Sequence, residues 1–172
     1  MVTAGATPRM HPLTEHTWET FSVNWHADVR IAFTWLRAAL RLPLSPGSRV
    51  VVFGSGAEVR AASPLSGGYA GAKATVRIIT SYANAEGGAL GITATAVLPV
   101  ITPGTTIGEV AITAYAKKSE ISPEQFRAGL PAAPTPESAG ESIVALLAGD
   151  SALAGAYLLN VSGLRPLDNA LT

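Results

Sequence analysis

The run Arg49-Val50-Val51-Val52-Phe53 constrains this chain more than any other stretch. Its apolar residues follow one another with no polar residue at alternate positions. A strand with one wet face alternates polar and apolar side chains, so a strand without alternation is expected to be buried on both faces, as in parallel sheets. Parallel neighbours need a crossover connection of a dozen or more residues, which commits the chain to helices between its strands. The flanking sequence supplies them. The segment from about Thr14 to Leu42 reads as helical with one break near Asn24 to Asp28. Within it Ile31, Trp35, Ala38, Ala39 and Leu42 recur at three- and four-residue intervals as the expected buried stripe, and Pro43, Pro46 and Gly47 end it.

After the strand, Gly54-Ser55-Gly56 opens a loop of small residues that runs to Gly68. A second helix is expected from about Gly68 to Glu86, carrying Tyr69, Lys73, Val76, Ile79 and Ala83, with Gly87, Gly88 and Gly91 as its stop. Ile92 to Leu98 reads as another strand. Helices near Thr106 to Lys118 and Ser122 to Leu130 follow, the second with Ser122 as N-cap and Pro123 in the first turn. Thr135 and Pro136 start a helix through Leu147, and Ala156 to Val161 gives the last strand. This alternation predicts an α/β fold with a parallel sheet. At 172 residues the chain is expected to form one domain with a substantial core.

Composition narrows the function classes. Twelve basic and twelve acidic residues give zero net charge, which offers no electrostatic footprint for nucleic acid or an anionic membrane surface. The absence of cysteine removes disulfides, thiolate catalysis and sulfur-ligated metals, and it fits a cytoplasmic protein. No segment has the roughly 18 consecutive apolar residues of a membrane span. His11, His16 and His26 lie in a polar stretch with no constellation of carboxylates around them, so they read as solvent-facing and no metal site is expected. Only 14% of residues are charged, against about 25% in a typical domain, so much of the surface is expected to be covered, within the fold or by another subunit.

The chemistry concentrates in Tyr69-Ala70-Gly71-Ala72-Lys73. Four residues apart on a helix, a phenol and an ammonium project from one face. A cation beside a phenol favours phenolate, which predicts a lowered pKa for Tyr69 and a usable proton donor and acceptor for a carbonyl/alcohol pair. Ser55 stands at the carboxyl end of a buried strand, where open α/β sheets place their ligands, and its hydroxyl can steady a substrate oxygen.

These residues resemble the short-chain dehydrogenase/reductase family over nearly the whole chain. Arg49 to Ser55 is similar to that family's strand ending in the catalytic serine, and Tyr69 to Lys73 to its Tyr-x-x-x-Lys helix. Asp28 stands where the family carries its catalytic asparagine. Met1-Val2-Thr3-Ala4-Gly5 resembles the Asn-Asn-Ala-Gly strand end beside the cofactor, Leu98-Pro99 the loop beside the nicotinamide, and Gly155 with Tyr157 to Gly163 the last strand. The resemblance implies a Rossmann-like three-layer sandwich and hydride transfer between NAD or NADP and a small carbonyl or alcohol substrate. Tyr69 would be the general acid/base. Lys73 would lower its pKa and bind the nicotinamide ribose, and Ser55 would orient the substrate oxygen. Asp28 would hold a water near Lys73 through its backbone carbonyl, and Thr3 and Thr102 would contact the cofactor. A lid over about residues 103–136 would line the substrate site, with Tyr115 and Phe126 as contacts, and a homo-oligomer is implied.

The sequence departs from the family in several places. Asp28 replaces the asparagine, Val2 and Thr3 replace both asparagines of the strand end, and Val100 replaces a glycine after Pro99. The glycine-rich turn that cradles the cofactor's pyrophosphate has no counterpart, since Val59 occupies the third glycine position after Gly54 and Gly56. The expectation is therefore an N-terminally truncated chain, the C-terminal two-thirds of the fold, starting at the fourth strand. On that expectation the 172 residues alone bind no measurable NAD(P)H. The alternative reading is a non-catalytic remnant that binds a partner or itself.

Overall fold

The computed structural model describes residues 1–42, 44–60, 64–149 and 152–167. Pro43, expected to help end the first long helix, lies outside the described residues, as do three residues of the loop after Ser55. In chain order the elements are α1 (Trp18–Phe21), a π-helical turn (Trp25–Val29), α2 (Arg30–Arg41), β1 (Arg49–Phe53) and α3 (Gly67–Gly87). Then come β2 (Thr93–Pro99), α4 (Thr106–Lys118), α5 (Pro123–Ala128), α6 (Pro136–Ala148), β3 (Ala156–Asn160) and β4 (Gly163–Pro166).

The sheet runs β1-β2-β3-β4. β1, β2 and β3 are mutually parallel, with Val51 opposite Thr95 and Val97 opposite Tyr157. Val2 adds a parallel bridge to Val52 on the free side of β1. As the unbroken apolar run of β1 requires, Val51 and Val52 are buried from opposite faces, and all five inner residues of β2, Thr95 among them, are buried too. On one face, Val52 and Ala94 pack with Ala32 and Leu36 of α2 and Val76 and Ala83 of α3. On the other, Val51, Val97 and Leu159 pack with Ile143 of α6. Helices, sheet and helix form the three layers of a Rossmann-like α/β sandwich.

Three expectations need correcting. The sheet is mixed: β4 returns antiparallel to β3, with Leu159 opposite Leu164, through a turn in which Gly163 takes a φ of +92°. The break near Asn24 to Asp28 is a π-helical turn that widens the helix and does not interrupt it. The buried stripe of α2 is also rotated from the one expected. Ala32 and Leu36 are buried, whereas Trp35 is 61% and Leu42 59% exposed. The cause is Asp28, whose side chain points inward. Ala32 and Leu36 follow it at four-residue intervals on the same face. Leu40 continues that face against the core.

Caps fall where the sequence put them. Ser122 Oγ accepts from Gln125 N at 3.1 Å and Thr135 Oγ1 from Ser138 N at 3.2 Å, each followed by proline in the first helical turn. Gly91, in the left-handed region at φ +67°, turns the chain from α3 into β2.

Candidate active site

Ser55 sits two residues past the end of β1, with a side chain that accepts from Ala57 N at 3.2 Å and so caps the short turn Gly56–Val59. It is nearly buried and hydrogen-bonded to the Tyr69 hydroxyl. Tyr69 lies in the first turns of α3, whose start packs so closely on α1 that a side chain at Gly68 would run into the carbonyl of Phe21. That contact fixes the height of α3 against the end of β1, and with it the meeting of serine and tyrosine.

One turn further, Lys73 lies almost wholly in the protein interior. Its ammonium donates to Phe53 O at 3.2 Å and pairs with Asp28 Oδ2 at 3.1 Å, while lying 5.8 Å from the centre of the Tyr69 ring. Asp28 is the hub of a buried polar cluster. Its Oδ1 accepts from Ala6 N at 2.8 Å, and both its oxygens lie within 3.4 Å of Asn24 Nδ2, which itself donates to Ala6 O at 2.8 Å. The N-terminal segment is thereby pinned over the lysine so tightly that a Cβ on Gly5 would stand 2.8 Å from Asp28 Oδ2.

A second ion pair follows on the same helix. Arg77, one turn beyond Lys73, pairs through Nε with Oε1 of Glu58, a fully buried carboxylate in the turn after Ser55. Burial raises the Glu58 carboxyl above its ordinary range, and the hydrogen bond and charge of Arg77 only partly oppose this. Tyr69, Lys73 and Arg77 therefore form a stripe on α3 at four-residue spacing, faced by two buried carboxylates.

The expected lowering of the Tyr69 pKa is not what this arrangement produces. Burial pushes the phenol up to about 12; the hydrogen bond from Ser55 pulls it down, and the charges of Asp28 and Glu58 push it up again. Lys73 does not offset them, because its charge is already matched by the carboxylate 3.1 Å away.

Ser55, Tyr69 and Lys73 open on one cavity of about 800 Å3, which Thr3, Thr102 and Tyr115 also line. Asp28 does not reach it and acts from behind Lys73. Thr102 turns its hydroxyl to Val100 O at 3.0 Å, and its carbonyl accepts from the Thr105 hydroxyl at 2.8 Å. Tyr115 of α4 meets Ser66 at 3.0 Å across the cavity wall, and Phe126 stacks on its ring at 6.0 Å. Phe126 thus supports the wall and does not line it, contrary to expectation. Asn24, Glu58 and Arg77 were missed by the sequence reading; only Arg77 carried a signal, its four-residue spacing from Lys73. Among the described residues no three of His, Asp and Glu converge as metal ligands, and no helix is long and apolar enough to cross a membrane.

The residues present fit the nicotinamide end of a dinucleotide. Lys73 has three N–H donors and spends two on Phe53 and Asp28, which leaves one for a ribose hydroxyl on the cavity side. The sequence contains no glycine-rich cradle for the pyrophosphate.

No protein-family model and no curated protein matches the chain. Solved structures do. It is similar to NAD+-bound xylitol dehydrogenase, with a TM-score of 0.75 and 20% identity over 90% of this chain and 64% of that one. It is similar to levodione reductase, with a TM-score of 0.62 and 25% identity over 72% of this chain and 46% of that one. A short chain dehydrogenase from Burkholderia cenocepacia J2315 in complex with NADP gives 0.57 and 26%, over 73% and 53%. The chain thus spans 64% of the xylitol dehydrogenase chain.

Proposed function

We propose that the chain, which shares the fold of solved short-chain dehydrogenases, is a member of the short-chain dehydrogenase/reductase family and serves an oxidoreductase acting on a small carbonyl or alcohol with NAD or NADP. The observation that carries this reading is the convergence of the Ser55 hydroxyl, the Tyr69 phenol and the Lys73 ammonium on one cavity. A bound nicotinamide would supply or accept the hydride. Ser55 holds the substrate oxygen, Tyr69 gives it a proton or takes one, and Lys73 holds the ribose with its remaining donor. Thr3 and Thr102 line the cofactor side. Residues about 103–136 form the substrate lid, through Tyr115 and the apolar Ile107 and Ala111. The test is oxidation of NADH or NADPH with a panel of small ketones. The expected result is ketone-dependent turnover; its absence with both cofactors across the panel would favour the non-catalytic reading.

A homo-oligomer is part of the proposal. α2 and α3 leave the large apolar side chains of Phe33, Trp35, Ile78 and Tyr82 about half exposed or more. Apolar surface of this kind suits cover by a second copy. Light scattering is expected to give a dimer or larger, and Trp35→Glu is expected to weaken it. A monomer at high concentration would count against the assignment.

A further inference from the structure

We propose that the cavity takes an apolar ketone, or the matching secondary alcohol, whose one polar group is its reacting oxygen, and that it rejects sugars and polyols. This deepens the oxidoreductase reading and rests on it for the reaction, whereas the choice among ligands rests on the cavity wall. Around Ser55 and Tyr69 that wall is built from Pro8 and Met10 of the N-terminal segment, Ala57, and Ile107 and Ala111 of α4. Each is buried or half-buried, and none carries a side-chain hydrogen-bond donor. At about 800 Å3 the cavity has room for an alkyl or ring ketone beside a nicotinamide.

The hydroxyls that do line the cavity are already engaged. Thr102 donates to Val100 O at 3.0 Å, and Thr105 donates to Thr102 O at 2.8 Å while accepting from Gly108 N at 3.0 Å. The hydroxyls of Ser66 and Tyr115 meet each other at 3.0 Å. A ligand hydroxyl that claimed one of these would break a bond inside the protein. Among the other described polar residues on the cavity, Thr3, Arg60 and Thr106 are exposed, and Lys73 is buried with two of its three donors spent. Ser55 and Tyr69 are then the pair that grips a ligand oxygen, and because they bond to each other they grip it at one point. A second hydroxyl on the ligand leaves water and meets carbon, which lowers affinity by about 5- to 150-fold. A methylene in the same place raises it by about fourfold.

Displacement of the neutral fluorescent probe Nile red tests this without cofactor or turnover. The competitors are unbranched methyl ketones from pentanone to nonanone, and xylulose, which has the carbon chain of pentanone with hydroxyls added. Displacement is expected to strengthen about fourfold per methylene until the wall is filled. Xylulose is expected to compete at least about fivefold less well than pentanone. Ala111→Phe fills the wall and is expected to remove the gain of the longer chains. Ile107→Asn puts an amide into the wall and is expected to narrow the gap between pentanone and xylulose, and it serves where Ala111→Phe does not fold. Xylulose competing as well as pentanone, no dependence on chain length, or the same order in every folded wall variant would each overturn the proposal. With reduced nicotinamide supplied, kcat/KM is expected to follow the same order. If the ketones bind in this order and none is reduced, the oxidoreductase reading fails and the apolar site stands. If xylulose is reduced in preference to the alkyl ketones, the oxidoreductase reading stands and the apolar assignment fails.

Discussion

Tyr69→Phe is expected to lower kcat for ketone reduction by about 10²- to 10⁴-fold, the usual contribution of a placed general acid. The substitution keeps the ring that packs beside Lys73 and removes only the hydroxyl that meets Ser55. Substrate contacts with the apolar wall from Ile101, Ile107 and Ala111 are untouched, so KM is expected to change little. That split matters. A loss confined to kcat marks an interaction made as the proton moves, whereas a rise in KM alone would mark Tyr69 as a binding residue. The variant is also expected to fold as well as the parent, because it leaves the buried ion pairs intact. Steady-state kinetics with the better of NADH and NADPH, beside a thermal melt, checks both statements. A kcat within tenfold of the parent would remove Tyr69 from the chemistry.

What the sequence made legible was whatever depends on neighbours along the chain. The strand at Val50 to Phe53, the limits of α4, and the caps at Ser122 and Thr135 are set by local pattern, and they stand where the pattern put them. The pairing of Ser55 with the Tyr69–Lys73 helix was legible too, because a short loop joins them. Contacts across the fold were not. That Asp28 reaches Lys73 depends on the π-helical turn, which periodicity registers only as a break. The stripe expected from the sequence pattern held Trp35, whereas the inward-pointing Asp28 sets Ala32 and Leu36 against the sheet. Lys73 beside Tyr69 predicted a lowered pKa because its partner could not be seen. Burial of the phenol reverses the direction, and a carboxylate 45 positions before Lys73 in the sequence adds to it. β4 escaped because four residues after a glycine turn carry no periodic signal.

Asp28→Ala is expected to be the most destabilising single change in the chain, at about 3–5 kcal/mol, the range for removing one partner of a buried ion pair. Three losses coincide at this position. The Lys73 ammonium, almost without solvent contact, is left with Phe53 O as its one protein partner. The Ala6 amide loses its acceptor, and the Asn24 amide keeps only the carbonyl of Ala6. The N-terminal segment that carries Thr3 to the cavity is held over Lys73 by these same bonds, so it loosens with them. Against a total stability of about 5–15 kcal/mol for a domain, the loss is a large fraction. Urea unfolding of the variant is expected to show it as a fall in midpoint at unchanged slope. Pairing Asp28→Ala with Lys73→Met separates charge from shape. If the cost comes from an orphaned cation, the double variant is more stable than the sum of the singles predicts, by about 0.5–3 kcal/mol. Additive costs would place the effect in the Ala6 and Asn24 hydrogen bonds. In that case the Lys73–Asp28 pair, though 3.1 Å apart and buried, carries no net weight in stability.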